Sequence, residues 1–370
     1  MNANKNAAEI VFNPTAPEFD VGIRRFQGCP TIAVTRGGRI FQGWYSGGNA
    51  EPRIENYDIL VYSDDDGKTW SKPLFVIPSS KETLIHAIDI QLYIDPDGKL
   101  HVCWVQNDVK EAGANDVNKW SPSHPVCVAE GYVFDDFTHA TWEMVCDNPD
   151  ANEIKFGEPR YVFDGFMRCK PLFLSSGEWV AFAYDQLSDR HAYNVSYDKG
   201  KTWTRMHGGK KLLTPFDEGM AYEMEDGAVR LFVRNELGEI GEAYSYDKCK
   251  TWTDTVLSGI PSPSTRFYVS RTPSGRILLV HNDHNKSRTN MTVKLSEDDG
   301  KTWKYSVCLD CRGDLSYPDA DFFGGKIYLT FDRERRGAME ILFTKFTEED
   351  IIAGVKPEIT IISKPGLTEI

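Results

Sequence analysis

Eleven polar residues stand where this chain can do chemistry. Gln27, Asp89, Lys170, Glu218, Arg266 and Tyr317 each open a short strand that runs into a glycine turn, and Gln106, Asp185, Arg234, Asp283 and Asp332 end the strand that follows. Carboxylates accept protons and hydroxyl hydrogens. Guanidinium forks grip an anionic group with two parallel hydrogen bonds. A set with both charge signs and a phenol suits a polar ligand, provided the chain brings these positions together.

Two periodicities supply the elements that would do so. Glycine turns between short apolar runs occur at 36–39, 95–98, 175–178, 225–227, 273–275 and 323–326, and each is a tight-hairpin signal. Six turns predict six sheets. Independently, the octet 63–70, Ser-Asp-Asp-Asp-Gly-Lys-Thr-Trp, returns at 196–203, 245–252 and 296–303, each time after a strand-like run. Its Ser and Asp bond nearby backbone N–H groups, its Gly makes a tight turn and its Trp anchors the loop, so Asp65, Asp198, Asp247 and Asp298 are structural. Units repeating about every 50 residues mean a propeller or an array.

The reading is all-β: one domain over 1–370, a six-bladed β-propeller of four-stranded antiparallel blades near 22–80, 84–150, 165–210, 213–258, 262–310 and 315–346. An early strand at 9–12 is expected to complete the sixth blade. The tail 347–370 starts as a short helix and continues as a strand outside the ring. Blade 2 has no octet, and its irregular stretches 107–124 and 127–148 are candidates for a lid or rim.

Composition narrows the function. A net charge of −13 argues against nucleic acid and anionic membranes as partners. No apolar run reaches the roughly 18 residues of a membrane span. Residues 1–9 lack the apolar core of a secretory signal, so a cytoplasmic protein is expected, or a periplasmic or secreted one if a leader has been removed. Eight cysteines lack paired metal or disulfide spacing and read mainly as buried thiols. The histidines likewise show no metal-type spacing, and neither metal nor other cofactor is expected.

Four copies of Ser-x-Asp-x-Gly-x-Thr-Trp on six four-stranded units resemble the Asp-box (BNR) repeats of the sialidase superfamily, a six-bladed propeller, from Gln27 to Asp332. One box has Cys249 in the Gly place. Three further features resemble that family. Glu218 and Arg234 flank a glycine hairpin as its Glu and carboxylate-binding Arg do. Residues 288–292, Arg-Thr-Asn-Met-Thr, resemble the run that carries its third Arg, and Tyr317 opens the sixth inner strand where its nucleophile stands. The resemblance implies a Tyr317 nucleophile whose proton passes to Glu218, because a carboxylate nucleophile would be repelled by a sugar bearing a carboxylate at the reacting carbon. Glu55, ahead of the first box, is implied as acid/base, with Asp58 and Asp89 as alternatives.

One feature departs from the family. Its first inner strand begins Arg-Ile-Pro, whereas this chain reads Gly28-Cys29-Pro30, with Arg24, Arg25 and Lys170 as the nearby cations. Sialic acid is therefore less favoured than another terminal, acidic or polyhydroxylated sugar. The expectation is a sialidase-like, retaining exo-glycoside hydrolase with a carbohydrate substrate: Tyr317, Glu218 and Glu55 catalytic, and Arg234, Arg288, Asp89, Lys170, Gln27, Arg25 and Gln106 binding. Two alternatives stand beside it: a non-catalytic glycan-binding propeller, and a lyase or glycosidase of uronic-acid glycans with a different catalyst. Taken singly, Glu218 and Arg234 also read as a structural ion pair, and Tyr317 as a core residue.

Overall fold

A computed structural model describes residues 6–113, 127–129, 131–186, 188–214 and 216–366. Alternating apolar residues make strands, and glycines with positive φ turn all six predicted hairpins. The chain is nearly all β: six antiparallel sheets, each built on four strands and the first two carrying a short fifth, form a six-bladed β-propeller. The inner strands, in blade order, are Gln27–Val34, Ile85–Ile94, Leu172–Phe173, Gly219–Glu223, Tyr268–Arg271 and Leu315–Phe323.

The residues cluster into two compact units, the first Met1–Phe166 with Glu334–Ile341 and Ile361–Ile370, the second Met167–Arg333 with Leu342–Thr360. In the first, Phe41, Phe75, Leu92, Trp104 and Trp142 share one buried cluster. In the second, Val180, Tyr193, Leu231 and Val233 do so. Burying such side chains supplies about 1.5–3 kcal/mol each and is the main force holding the sheets face to face.

Two expectations are corrected. The early strand, Val11–Phe12, pairs with Phe75–Pro78 and so extends blade 1 rather than completing blade 6. Phe12 there packs edge-on against Phe75, with ring centres 5.7 Å apart. The outer strand of blade 6 is Thr360–Ser363, from the tail itself, after the expected helix, Glu348–Ile352, capped by Thr347 and Asp350. Of the stretches of blade 2 read as irregular, 107–111 and most of 127–148 are strand. Leu100–Glu111 and Tyr132–Cys146 pair from Leu100↔Cys146 to Glu111↔Tyr132, because β-branched and aromatic residues continue through both. Residues 114–124 lie outside the described residues.

The octets sit where they were expected, on the turns from third to fourth strand in blades 1, 3, 4 and 5. In the first, Asp65 Oδ1 accepts from the N–H of Thr69 at 2.9 Å and of Lys68 at 3.0 Å, and Thr69 Oγ1 donates to Oδ2 at 2.7 Å. These bonds favour the ionised carboxylate. The Thr69 backbone, followed by its hydroxyl, brings Asp65 down to about 2, and Thr302 does the same for Asp298. Among the described residues no helix is long and apolar enough to cross a membrane. Five of the described cysteines are buried free thiols, and Cys308 and Cys311 are exposed.

Two predictions follow from the octets. Gly300 has φ +76, and a Cβ there would meet Tyr222 Oη at 2.5 Å and Arg230 Nη1 at 2.9 Å, whereas Gly275 has φ +97 and open space. Denaturant unfolding should show Gly300→Ala losing about 3 kcal/mol and Gly275→Ala only about 1, since both pay for the left-handed backbone but only the first pays for overpacking. Asp65 and Asp298 have folded values near 2 against 3.8 for the free group, so their contribution is complete above about pH 4 and is lost as pH falls through about 2. Melting temperature measured across that window should therefore fall less steeply in Asp65→Asn/Asp298→Asn than in the parent.

Candidate functional site

Tyr317 owes its position to a break in pairing. Ser316 faces Asp332 and Asp319 faces Thr330, so residues 317 and 318 oppose one residue of the partner strand. This is a β-bulge whose first residue is left-handed, with φ 54 at Tyr317. Pro318 suits it, having no N–H to leave unpaired. Ser316 Oγ donates to Asp332 Oδ1 at 2.6 Å and closes the strand just before the break. The same bulge opens the inner strands of blades 1 and 2, at Cys29 (φ 55) and Asp89 (φ 66).

Glu218 precedes the inner strand of blade 4 and Arg234 follows the second strand, Val229–Val233; Arg234 N–H bonds the Glu218 carbonyl at 3.0 Å, so the hairpin holds the two side chains side by side. Glu218 is 3% exposed. Its Oε2 accepts from Arg234 Nη1 at 2.9 Å and its Oε1 from Arg168 Nε at 3.3 Å. Burial pushes the Glu218 carboxyl up, but the charges of Arg234 and Arg168 outweigh it and hold the group near 2. Arg234 is correspondingly driven above its usual value, because Glu218 more than offsets its burial.

Arg234 Nη1 also donates to the Tyr317 hydroxyl at 3.3 Å, so one guanidinium touches both predicted catalytic groups. The guanidinium carbons of Arg168 and Arg266 lie 5.2 Å from the Tyr317 ring centre, and that of Arg288 lies 5.6 Å away. Arg266 also donates to the carbonyls of Arg168 at 2.6 Å and Tyr317 at 3.3 Å. Arg288 is fixed by the Ser264 carbonyl at 3.0 Å. Arg234 stacks over Phe216 at 5.0 Å. Thus Tyr317, Glu218, Arg234 and Arg288 meet within the second unit. Such a cluster of guanidiniums suits an anion and negative charge on oxygen.

The other predicted residues are placed as follows. Lys170 donates to the Ala320 carbonyl at 2.6 Å and sits 3.7 Å from both Asp319 and Asp321, fastened to the strand that carries Tyr317. Gln27 is fully buried; its amide donates to the Met339 carbonyl and accepts from Trp44 and Ser363. Gln106 binds the backbone of Ala8 and Asn6. Asp89 is the bulge residue of blade 2. Asp58, an alternative acid, is buried and accepts from Ile90 N–H at 3.1 Å. Arg25 and Glu55 are exposed and line a recess of about 1010 Å³ in the first unit. Arg24 is buried on Tyr57 Oη, Ser363 and the Phe19 carbonyl.

Sequence reasoning gave Arg168 no part and Arg266 only a place at a strand start. Among the described residues no group of His, Cys, Asp and Glu could hold a metal ion.

Comparison with known proteins agrees with this architecture. A family model for the BNR repeat-like domain matches residues 140–323. No curated protein matches the chain. Among solved structures, the NanB sialidase from Streptococcus pneumoniae superposes with a TM-score of 0.65 at 17% identity, over 88% of this chain and 68% of that one. The intramolecular trans-sialidase from Ruminococcus gnavus, in complex with oseltamivir carboxylate, gives 0.67 at 15% identity over 95% and 99%. A protein of unknown function from Dyadobacter fermentans gives 0.64 at 17% over 96% and 97%. At these identities the likeness concerns the fold. The chain is a six-bladed β-propeller whose residues 140–323 match the BNR repeat-like domain.

Proposed function

We propose that the chain is a sialidase-like, retaining exo-glycoside hydrolase that takes a terminal sugar bearing an anionic group. The observation that carries this reading is the shared guanidinium: Arg234 Nη1 bonds both Glu218 and the Tyr317 hydroxyl, inside a ring of further arginines. Four guanidiniums against one carboxylate leave the pocket positive on a chain of net charge −13, which favours an anionic guest.

In this mechanism the anionic group of the sugar draws Arg234 and Arg288 toward itself. Glu218, left with Arg168, becomes more basic as one of its two cations is shared away. It then takes the phenol proton while Tyr317 Oη forms a bond to the anomeric carbon, and the bond from that carbon to the leaving oxygen breaks. A general acid protonates the departing oxygen, and a water deprotonated by its conjugate base attacks the same carbon and releases Tyr317, which regains its proton from Glu218, so configuration is retained over two displacements. A second reading, a glycan-binding propeller without turnover, is favoured by the engagement of Glu218 with Arg168 as well as Arg234.

A screen of chromogenic sialic acid, uronic acid, rhamnose, fucose and galactose glycosides tests the first reading. Tyr317→Phe should lower turnover by roughly three orders of magnitude while binding changes little. Undiminished turnover would move the chemistry to another residue, and parent protein that binds without turnover would be the binding module. The acid limb of kcat/KM should report Glu218, whose value near 2 describes the ligand-free protein. Arg168→Ala removes a cation that depresses it, so the limb should move to higher pH; an unmoved limb would deny Glu218 the role of base.

A further inference from the structure

We infer that the recess of the first unit is a binding site for an anionic sugar, distinct in its residues from the Tyr317 cluster. It rests on the glycan reading above for its choice of ligand class. The recess occupies about 1010 Å³, at the top of the roughly 300–1,000 Å³ usual for small-molecule sites, which leaves room for more than one sugar ring. Its walls come from the segment ahead of Gln27–Val34, the loop between Ile40–Ser46 and Tyr57–Ser63, and the segment after Phe75–Pro78. All of these are strand ends opposite the octet turn of blade 1.

The charge on these walls runs against that of the whole chain. Arg25, Arg53 and Lys81 line the recess, with Arg25 and Lys81 exposed and Lys81 lying 5.5 Å over the Tyr132 ring. Glu18 and Glu55 line it too, as acceptors for sugar hydroxyls. Cations for an acidic group beside carboxylates for hydroxyls suit a charged carbohydrate better than a bare inorganic anion, which gains nothing from the carboxylates.

The loop wall is built in advance of any ligand. Asn56 Nδ2 donates to the carbonyls of Gly47 at 2.6 Å and Ala50 at 3.1 Å, and Asn56 Oδ1 accepts from Arg53 N–H at 2.6 Å. Gly47 has φ +84, and a Cβ there would come within 2.2 Å of the Glu55 carbonyl oxygen, so the turn admits no side chain. His86 Nε2 lies 3.0 Å from the Arg53 carbonyl, and burial keeps this ring near 3 and therefore neutral, so it donates there as the Nε2–H tautomer. The opposite wall rests on Phe19, edge-on to Tyr57 at 5.0 Å. A preorganised wall spares the ligand the cost of ordering it.

Calorimetric titration of the full chain with digalacturonate, neutral galactobiose, galactose 6-sulfate and inorganic sulfate tests the inference. Digalacturonate or galactose 6-sulfate should bind at least about tenfold tighter than galactobiose, and which of the two binds better separates a carboxylate from a sulfate ester. Arg25→Ala/Arg53→Ala should weaken that binding about tenfold or more, the double lysine variant should restore part of it, and Tyr317→Phe should leave it within about twofold. Unaltered melting temperatures check that the variants fold. Equal affinity in parent and double-alanine variant, no preference over galactobiose, or sulfate binding as tightly as either sugar would overturn the site. Turnover that still depends on Tyr317 would then leave the hydrolase reading intact, so the two failures are separable.

Discussion

Placing a carboxylate and several guanidiniums inside a β-sheet protein costs several kcal/mol for each ion unless other charges answer it. In the second unit that constraint is met by the Glu218 carboxylate, divided between Arg168 and Arg234. Each arginine answers part of the Glu218 charge, and Glu218 in turn offsets the burial of Arg234. The arrangement ties the ends of two blades together: Arg168 precedes the inner strand of blade 3, while Glu218 and Arg234 bracket the hairpin of blade 4. Phe216, under the Arg234 fork, supplies an apolar surface that keeps water from competing for the pair.

The octets solve a different problem at the other ends of the strands. There the chain must turn tightly in the open, and each octet closes on its own Ser and Asp, so the turn needs little from its neighbours. Cys249 in the fourth blade shows how far this can be stretched: it holds φ 62 in the glycine place, with Tyr193 Oη donating to its carbonyl at 2.7 Å. A β-sheet protein can then leave the remaining strand ends to residues chosen for chemistry.

That division explains what the sequence revealed. The octets and glycine turns are local, each encoded within a few residues, so six sheets and the placement of four octets could be read directly. Strand partners outside a hairpin are not local. Val11–Phe12 carries no mark to say that Phe75 will be its neighbour, and Thr360–Ser363 none to say that it ends blade 6. In the site, Glu218 and Arg234 were legible because a hairpin joins them at a spacing of 16 residues. Arg168 was not, because it reaches Glu218 across 50 residues by a fold contact that leaves no periodic trace. Gln27 and Gln106 stood at strand ends as expected, yet their amides serve internal carbonyls and amides, a partner choice that position alone does not encode.

The bulges are where strain and chemistry coincide. Left-handed backbone at a residue with a side chain costs about 1–2 kcal/mol, and it persists only where surrounding contacts fix it. At Tyr317 those contacts are identifiable: Arg266 donates to the Tyr317 carbonyl, lies over its ring and is itself held to the Arg168 carbonyl, while Ser316 is pinned by Asp332. A regular strand would give residue 317 the direction dictated by the pleat; the bulge gives it another, and the arginines keep it there. Arg266 thus answers two demands with one side chain, holding the bent backbone and adding positive charge beside the phenol. Its removal would therefore be felt first in the orientation of Tyr317, and only secondarily in the stability of the blade.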